Sequence, residues 1–209
     1  MIVAVTGNLG TGKTTVAAMF ARHKAKIVDA DGITRRLLTK DKKLIKKVAK
    51  TFPRAILKQG GIDRKQLSRI VFKNPRALKK LTKIVYPEAL KEVKKQISVY
   101  RKQTRLIILD IPLLFEAGWD RLADTTIVVC ARPQQQYQRI HKRMGLSKAE
   151  IRNRLKFQMP LERKCRLADI IIDNSGPLSA TRQQVKAIIY RLLQRERQQH
   201  RSQNGQDRN

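Results

Sequence analysis

Residues 2–14 read IVAVTGNLGTGKT, and this stretch decides the fold of the chain. A short apolar run, typical of a buried strand, leads into a glycine-rich loop and then into a segment with helical periodicity. Residues 7–14 fit the pattern G-x-x-x-x-G-K-[ST], whose glycines let the backbone turn tightly and point its N–H groups at phosphate oxygens. The following helix N-terminus adds partial positive charge. The stretch therefore predicts a site for a nucleoside triphosphate.

Within this phosphate-binding loop (P-loop), two side chains have predicted roles. Lys13 is expected to contact the β- and γ-phosphates, and the Thr14 hydroxyl to coordinate Mg²⁺. The candidates for ATP binding are the loop residues and the threonine that follows: Asn8, Leu9, Gly10, Thr11, Gly12, Lys13, Thr14 and Thr15. The acceptor of the phosphate stays open at this point, because GTPases, motor ATPases and small kinases all have such a loop.

Beyond the loop, short runs rich in Val and Ile alternate with longer helical patterns, which predicts an α/β fold with a parallel five-stranded sheet wrapped by helices. The predicted strands are 2–6, 26–29, 105–111, 126–130 and 170–172. The predicted helices begin near Gly12, Asp41, Asp63, Asn74, Pro133, Ser147, Pro160 and Leu178. Ser147 followed by Glu150 is a capping-box pattern, which favours a helix start there.

The chain is expected to be one domain over residues 1–209. Its core would comprise about 1–40, 103–132 and 165–194. Residues 41–102 would form a helical insertion that binds the acceptor, because they are far more than a parallel crossover needs. Residues 133–164, helical and rich in arginine, would form a lid. The polar tail, about 195–209, is expected to be frayed or disordered.

The composition is strongly basic, with 47 Lys and Arg against 16 Asp and Glu and a formal net charge of +31. Such a charge favours anionic partners. It is interpreted as a solvated basic surface that makes weak, non-specific contact with RNA.

No apolar run approaches the ~20 residues of a membrane-spanning helix, and no secretory leader is recognised, so a cytoplasmic location is expected. Cys130 and Cys165 are interpreted as reduced thiols.

Acidic residues follow two of the predicted strands. Asp29 and Asp31 come at the carboxyl end of the second strand, where open α/β sheets bind ligands. Asp31 is the candidate general base for a substrate hydroxyl, with Asp29 as support or helix cap; a plain N-cap of a following helix is the alternative. Asp110 ends the third strand, where P-loop proteins often keep an acid near Mg²⁺.

Several segments together resemble the dephospho-coenzyme A kinase family. They are the P-loop with Thr15, the DAD of residues 29–31 with Arg35, DIPLLFE of 110–116, QMPLE of 158–162, and AD of 168–169 leading into IDNSG of 172–176. The resemblance implies transfer of a phosphoryl group from MgATP to the ribose 3′-hydroxyl of dephospho-coenzyme A, the last step of coenzyme A synthesis. It also implies ATP and dephospho-coenzyme A as substrates and Mg²⁺ as the cofactor.

The resemblance also assigns residues. Asp31 matches the family's proposed base, and Arg139 and Arg143 lie in its lid, where arginines close over the ATP phosphates. These two arginines are four apart and so share a helix face; Arg154 is a further lid candidate. Asn174 is expected near the adenine, or to serve as turn chemistry alone. The acceptor side comprises Arg35, Tyr86, Pro112, Leu113 and Leu114, of which the last three either contact substrate or fill the core.

The chain departs from the family's pattern at two positions. Tyr86 stands before Pro87 where the family usually has His-Pro, and Met144 follows Arg143 where Asp is common. A Tyr can hydrogen bond as His does but carries no positive charge near neutral pH. The departure at Tyr86 bears on acceptor affinity and not on the reaction class. Two alternatives stand beside the resemblance, the second of them motivated by the net charge of +31. One is another small-molecule P-loop kinase with a nucleoside or nucleotide acceptor, and the other is a nucleic-acid-binding P-loop protein. The sequence predicts no oligomeric state.

Overall fold

The computed structural model describes residues 1–57 and 59–206, with the backbone alone for 197 and 199–206. Five strands form one all-parallel sheet in the order β2-β3-β1-β4-β5. The strands are β1 (Ile2–Thr6), β2 (Lys26–Asp29), β3 (Ile107–Asp110), β4 (Thr125–Cys130) and β5 (Ile170–Asp173). The predicted α/β fold is confirmed. The ends of each predicted strand differ by at most two residues from those of the observed strand.

Nine α-helices surround the sheet in the described residues. They are α1 (Lys13–Ala21), α2 (Ala30–Lys40), α3 (Lys42–Thr51), α4 (Arg64–Val71), α5 (Pro75–Arg101), α6 (Pro133–Met144), α7 (Lys148–Leu155), α8 (Leu161–Leu167) and α9 (Leu178–Gln206). The side chains of Asp41, Asp63, Asn74 and Ser147 each accept a hydrogen bond from a backbone N–H of the following helix. Those N–H groups have no partner within the helix, so such caps explain why the predicted starts are correct to one residue.

Helix α2 is absent from the predicted helices. Its first turn contains Gly32, Ile33 and Thr34, which have low helix propensity. The helix begins here because the Asp29 side chain accepts a hydrogen bond from the Gly32 N–H at 2.9 Å. The capping role expected of Asp29 is therefore confirmed, and the same cap places Asp31 in the first turn of a helix.

Apolar side chains pack on both faces of the sheet. One core cluster joins the sheet to α1 and α9 through Phe20, Val185 and Leu192, and the other joins it to α2 and α5 through Ile33 and Val93. Burial of this kind is the main favourable term in folding. The sheet is thus covered on both faces, as all-parallel sheets require, and its carboxyl edge is left for ligands.

Residues 41–102 have a small core of their own. Leu44, Val48, Leu67 and Val71 are buried there, together with Val85 of α5. Helix α5 extends from this cluster into the cluster beneath the sheet, through Ala89 and Val93. The insertion is therefore mainly helical, as expected, and one long helix connects it to the sheet.

The last helix runs further than predicted. Helix α9 continues to Gln206, so the backbone of the polar tail expected from residue 195 is helical over most of its length. Residues 207–209 of that tail lie outside the described part of the chain. Among the described residues, no helix combines the length and the apolar character needed to span a membrane.

Candidate active site

The register of the parallel sheet brings three functional segments to one edge. Asp110 at the end of β3 is aligned with Val5 of β1 on one side and with Asp29 of β2 on the other. The P-loop follows β1 directly, and Asp31 follows Asp29. Because the strands are parallel, all three segments leave the sheet at its carboxyl end, where open α/β sheets bind ligands.

The P-loop closely approaches two other segments of the chain. Gly12 has a left-handed backbone conformation (φ 91°), and a Cβ there would lie 2.1 Å from Asn174 Nδ2. Gly10 has φ 83°, and a Cβ there would lie 2.7 Å from the Gln136 carbonyl oxygen. Glycine is needed at both positions for conformation and for space. The loop ends at the N-terminus of α1, whose first N–H groups have no partner within the helix and are suited to bind phosphate.

Lys13 and Asp110 form a buried ion pair with a hydrogen bond at the centre of this edge. Their side chains are 11% and 6% exposed. Burial raises the pKa of Asp110, and the Lys13 ammonium offsets part of that rise. The pair holds the lysine ammonium at the start of α1, beside the position where the loop would cradle phosphates.

Asp31 lies in the first turn of α2 and faces the same charges. Its side chain is exposed to solvent, yet it lies close enough to other segments for desolvation by the surrounding protein to raise its pKa. The Asp29 and Asp110 carboxylates add to this rise, while Lys13 and Arg35 oppose it. Asp31 is therefore both accessible to a substrate hydroxyl and a stronger base than an ordinary aspartate, as a proton acceptor should be. Arg35 itself pairs with Asp29 at 3.4 Å.

Arg139 and Asn174 lie against the other side of the loop. The Asn174 side-chain amide donates to the Thr11 carbonyl at 2.8 Å, and its oxygen accepts from the Thr181 hydroxyl at 2.9 Å. Arg139 donates to the Asn174 carbonyl at 2.8 Å and to the Thr11 carbonyl at 3.4 Å. Both predicted ATP-side residues are thus next to the loop. Arg143 is exposed one turn further along α6, without a hydrogen bond or ion pair to the described residues, and its role remains a prediction.

Residues 158 and 159 contact the loop in a way that the sequence did not predict. The Asn8 side-chain amide donates to the Met159 carbonyl at 3.1 Å, and the Leu9 backbone N–H donates to Gln158 Oε1 at 2.9 Å. Asn8 and Leu9 therefore contact protein as well as being candidates for ATP binding. The QMPLE segment was part of the resemblance, but nothing in its sequence shows that it faces the loop.

Tyr86, one of the residues predicted for the acceptor side, packs against a tryptophan. Its ring centroid is 5.5 Å from that of Trp119. Burial raises the pKa of Tyr86 to about 12, and the Glu116 and Asp31 carboxylates add to the rise. The phenol thus stays protonated at neutral pH and can donate a hydrogen bond.

Of the apolar residues proposed for the acceptor side, Leu114 is fully buried in the cluster beneath the sheet. This burial favours packing, which was the alternative, and its contact with substrate remains a prediction. Leu113 and Pro112 are partly exposed. The Pro112 carbonyl accepts hydrogen bonds from the Thr6 hydroxyl at 3.0 Å and from Lys164 Nζ at 2.7 Å, so the backbone of this segment is fixed from two sides.

Arg154 contacts the helical insertion rather than the P-loop. Its guanidinium lies 5.6 Å from the centroid of the Phe72 ring, and that ring is 5.8 Å from the ring of Phe157. Both distances are within the range of favourable cation–π and aromatic contacts. This ring cluster of Phe72, Phe157 and Arg154 therefore joins the insertion (41–102) to the arginine-rich segment (133–164).

The two cysteines are neighbours, although they are 35 residues apart in sequence. Their Sγ atoms are 2.9 Å apart, and both thiols are free. Burial, with a further contribution from the contact with Cys165, raises the pKa of Cys130 to about 12. The assignment of reduced thiols remains a prediction, and the raised pKa makes Cys130 a poor nucleophile at neutral pH.

The site suits a magnesium ion that arrives with a nucleotide. No group of three or more His, Cys, Asp or Glu side chains within residues 1–57 and 59–206 could hold a metal by itself. Mg²⁺ in nucleotide sites usually takes one or two protein oxygens together with substrate phosphates and water. The Asp110 carboxylate and the exposed Thr14 hydroxyl provide oxygen atoms near the loop, and this chemistry fits that requirement.

Comparison with known proteins identifies the family. The sequence model of the family described as "Dephospho-CoA kinase" matches residues 1–180. The chain belongs to the dephospho-CoA kinase family. A dephospho-CoA kinase from Carboxydothermus hydrogenoformans is 42% identical over 190 residues, covering 90% of this chain and 92% of that protein. The family model's match over residues 1–180 spans every candidate site residue from Asn8 to Asn174.

Solved structures agree with this family and fold. A structure described as TT1252 from Thermus thermophilus aligns with a TM-score of 0.79 at 34% identity, covering 92% of this chain and 97% of that one. A dephospho-CoA kinase from Campylobacter jejuni aligns with a TM-score of 0.67 at 28% identity, covering 91% and 96%. The dephospho-CoA kinase resemblance drawn from residues 29–35, 110–116 and 158–176 is therefore confirmed.

Proposed function

We propose that this chain transfers the γ-phosphoryl group of MgATP to the ribose 3′-hydroxyl of dephospho-coenzyme A, giving coenzyme A and ADP. The observation that carries the proposal is the convergence of Asp31, Lys13 and Asp110 at the end of the P-loop. A base that solvent can reach lies there beside a phosphate-binding lysine. Substrates of this kind support a cytoplasmic location.

ATP binding uses the groups around the loop. Its phosphates would accept hydrogen bonds from the loop N–H groups and from Lys13, whose ammonium is already at the start of α1. Arg139, Asn174 and the more distant Arg143 would surround the nucleotide from the side of α6 and β5. Two of these three already touch the loop. Residues 133–164 would act as the lid, since arginines and exclusion of water provide much of the catalysis of phosphoryl transfer.

Phosphoryl transfer proceeds from this arrangement. Asp31 accepts the proton of the ribose 3′-hydroxyl as that oxygen bonds to the γ-phosphorus. The bond between the γ-phosphorus and the bridging oxygen of the β-phosphate breaks, and ADP leaves with that oxygen. Lys13 would stabilise the charge that develops on the phosphate oxygens. The raised pKa of Asp31 suits this role, because a stronger base takes the proton more readily.

The metal ion and the acceptor contacts complete the proposal. Thr14 and Asp110 would hold Mg²⁺, which supplies neutralisation of charge on the β- and γ-phosphate oxygens. Residues 41–102, which provide Tyr86, would bind the acceptor together with Leu113 and Pro112. Arg35 would bind an acceptor phosphate, since a guanidinium matches phosphate geometry. Tyr86 would donate a hydrogen bond where the family usually has a histidine.

The direct test is an assay of both products. With MgATP and dephospho-coenzyme A, the protein is expected to form ADP and coenzyme A in equal amounts. A coupled assay measures the ADP, and chromatography measures the coenzyme A. Excess EDTA should abolish turnover, and added Mg²⁺ should restore it, because the metal neutralises charge on the phosphate oxygens. A folded protein that makes no coenzyme A would contradict the proposal. Turnover with nucleosides or nucleotides instead would support the other kinase alternative.

The exposed face of α5 supports a weak contact with RNA as a second function. Eight basic side chains on this helix are exposed, and five of them form one stripe: Arg76, Lys80, Lys83, Lys91 and Lys94. On a helix of 3.6 residues per turn they lie within an arc of about 80° and extend over about 27 Å. The acidic residues of α5, Glu88 and Glu92, are partly buried and lie outside that arc, although Glu88 pairs with Lys91 at 3.2 Å. We propose that this basic stripe binds the phosphate backbone of RNA without sequence preference.

The stripe can be tested by salt dependence. The test variant carries four substitutions to Ala, at Lys80, Lys83, Lys91 and Lys94. It should bind a labelled 20-nucleotide single-stranded RNA more weakly. The slope of log Kd against log salt should fall by roughly three, because each cation contributes about 0.7. Fluorescence anisotropy between low and physiological salt measures the slope. The matched control replaces four exposed lysines of α3: Lys42, Lys43, Lys46 and Lys50. Equal losses in both variants would show that net charge alone, and not the stripe, binds RNA.

A further inference from the structure

Lys164 is a buried lysine at the edge of the active site. It lies in α8, whose sequence LERKCRL reads as a charged surface helix, yet its side chain is fully buried (0% exposed). Its Nζ donates to the Pro112 carbonyl at 2.7 Å and lies 3.0 Å from Glu116 Oε1. Burial lowers the pKa of Lys164, and Glu116 opposes that change. Burying an ammonium is costly unless it is paired and hydrogen bonded, as here.

Both partners of Lys164 belong to the segment that follows Asp110. Pro112 is two residues after Asp110, and Glu116 is close enough to Tyr86 to raise its pKa. We call residues 112–116 the acceptor loop. Its first residue is two positions from Asp110, which pairs with Lys13, and both Pro112 and Glu116 bind the Lys164 ammonium. One ammonium therefore fixes both ends of the loop.

Glu116 continues the connection to the P-loop. Its Oε1 accepts a hydrogen bond from the Met159 N–H at 2.7 Å, and the Met159 carbonyl accepts one from the Asn8 side-chain amide at 3.1 Å. Residues 158–159 lie within the arginine-rich segment (133–164), between α7 and α8. The polar chain thus runs from Lys164 through Glu116 and Met159 to Asn8, and joins the acceptor loop, the end of the proposed lid and the P-loop.

We propose that Lys164 is a positioning residue that sets the acceptor loop relative to the P-loop. It contacts the backbone and carboxylate of the loop rather than a substrate. By holding Pro112 and Glu116, it keeps the acceptor side at the correct distance from Lys13 and Asp31. A displacement of about 1 Å between reacting groups can reduce turnover about a hundredfold. The inference rests on the proposed kinase reaction.

The test separates acceptor kinetics from nucleotide kinetics and from stability. Lys164→Met fills much the same volume without the charge. We expect it to raise the KM for dephospho-coenzyme A about tenfold or more and to lower kcat, while the KM for MgATP changes less than about threefold, because Arg139, Asn174 and Gln158 still hold the P-loop. Thermal unfolding and calorimetric binding of ADP check that the variant is folded. Lys186→Met, which replaces an exposed lysine of α9, is the matched control and should match the parent in all of these measurements.

A second variant keeps the test decisive if Lys164→Met fails to fold. Glu116→Gln retains an oxygen that accepts from Met159 but removes the charge that pairs with Lys164. It should also raise the KM for dephospho-coenzyme A. The double variant should raise this KM by less than the product of the two separate factors, since both changes break one interaction.

Three results would overturn the inference. Unchanged kinetics with a lowered Tm would make Lys164 purely structural. Equal increases in both KM values would show that it does not act on the acceptor loop in particular, and an unchanged acceptor KM in Glu116→Gln would exclude the proposed link. If the parent protein makes no coenzyme A, the proposed function fails, and this inference fails with it; normal parent turnover with an unchanged variant rejects Lys164 alone.

Discussion

Asp31→Asn is expected to lower kcat about 10²- to 10⁴-fold, the usual contribution of a general base. The amide has nearly the same shape but cannot take the proton of the ribose hydroxyl. Because Asp31 is exposed and lies at the start of α2, the change should leave the fold and the KM for MgATP close to those of the parent. Steady-state measurement of coenzyme A formation with saturating ATP gives the size of the effect.

Asp29→Asn is the matched control for this variant. Asp29 is two residues away and also carries a carboxylate near the site, but its role in the structure is to cap α2. Asparagine caps helices about as well as aspartate does. We expect turnover within about threefold of the parent. Near-parental kcat in Asp31→Asn, or an equal loss in both variants, would exclude Asp31 as the base.

Lys13→Met is expected to lower kcat/KM for ATP by about 10³-fold, the cost typical of removing a group that stabilises transition-state charge. It should also destabilise the fold by about 3 kcal/mol, since it leaves the Asp110 carboxylate buried without its partner. These two effects have different causes. Chemical denaturation measures the free energy of unfolding, and the ADP assay measures the loss of catalysis.

The double variant Lys13→Met with Asp110→Asn separates the two effects. A neutral amide at position 110 removes the unpaired charge, so we expect most of the lost stability to return while activity stays low. Recovery of activity together with stability would mean that Lys13 only maintains the fold. Asp110→Asn by itself should raise the Mg²⁺ concentration needed for half-maximal rate, as expected of a metal ligand.

Local sequence patterns accounted for most of the fold. The P-loop, the strands and most helix starts could be predicted because each depends on residues within a few positions: glycines at 10 and 12, and caps such as Asp41 and Ser147. Helix α2 was missed because its first turn has poor helix formers and depends on a single cap from Asp29. Family membership came from several short segments taken together.

The rest of the site depends on contacts between distant residues. The order of the strands, which places Asp110 between Lys13 and Asp29, has no local signal. Lys164 looks like a surface lysine in its own helix, and only the approach of residues 112–116 makes it buried and paired. Leu114 was a candidate for contact with substrate, and the structure buries it. The sequence cannot distinguish these cases, because a leucine after a strand looks the same in a pocket wall and in a core.

The ring cluster of Phe72, Phe157 and Arg154 has a consequence for the balance between open and closed forms of the cleft. Any movement that separates the arginine-rich segment from the insertion must break it. An aromatic pair contributes about 0.5–1.5 kcal/mol and a cation–π contact about 0.5–1 kcal/mol. Free energies of that size change a two-state population by roughly five- to seventyfold. A substrate shifts such a population only by the difference between its affinities for the two forms, so the ring cluster sets how large that difference must be.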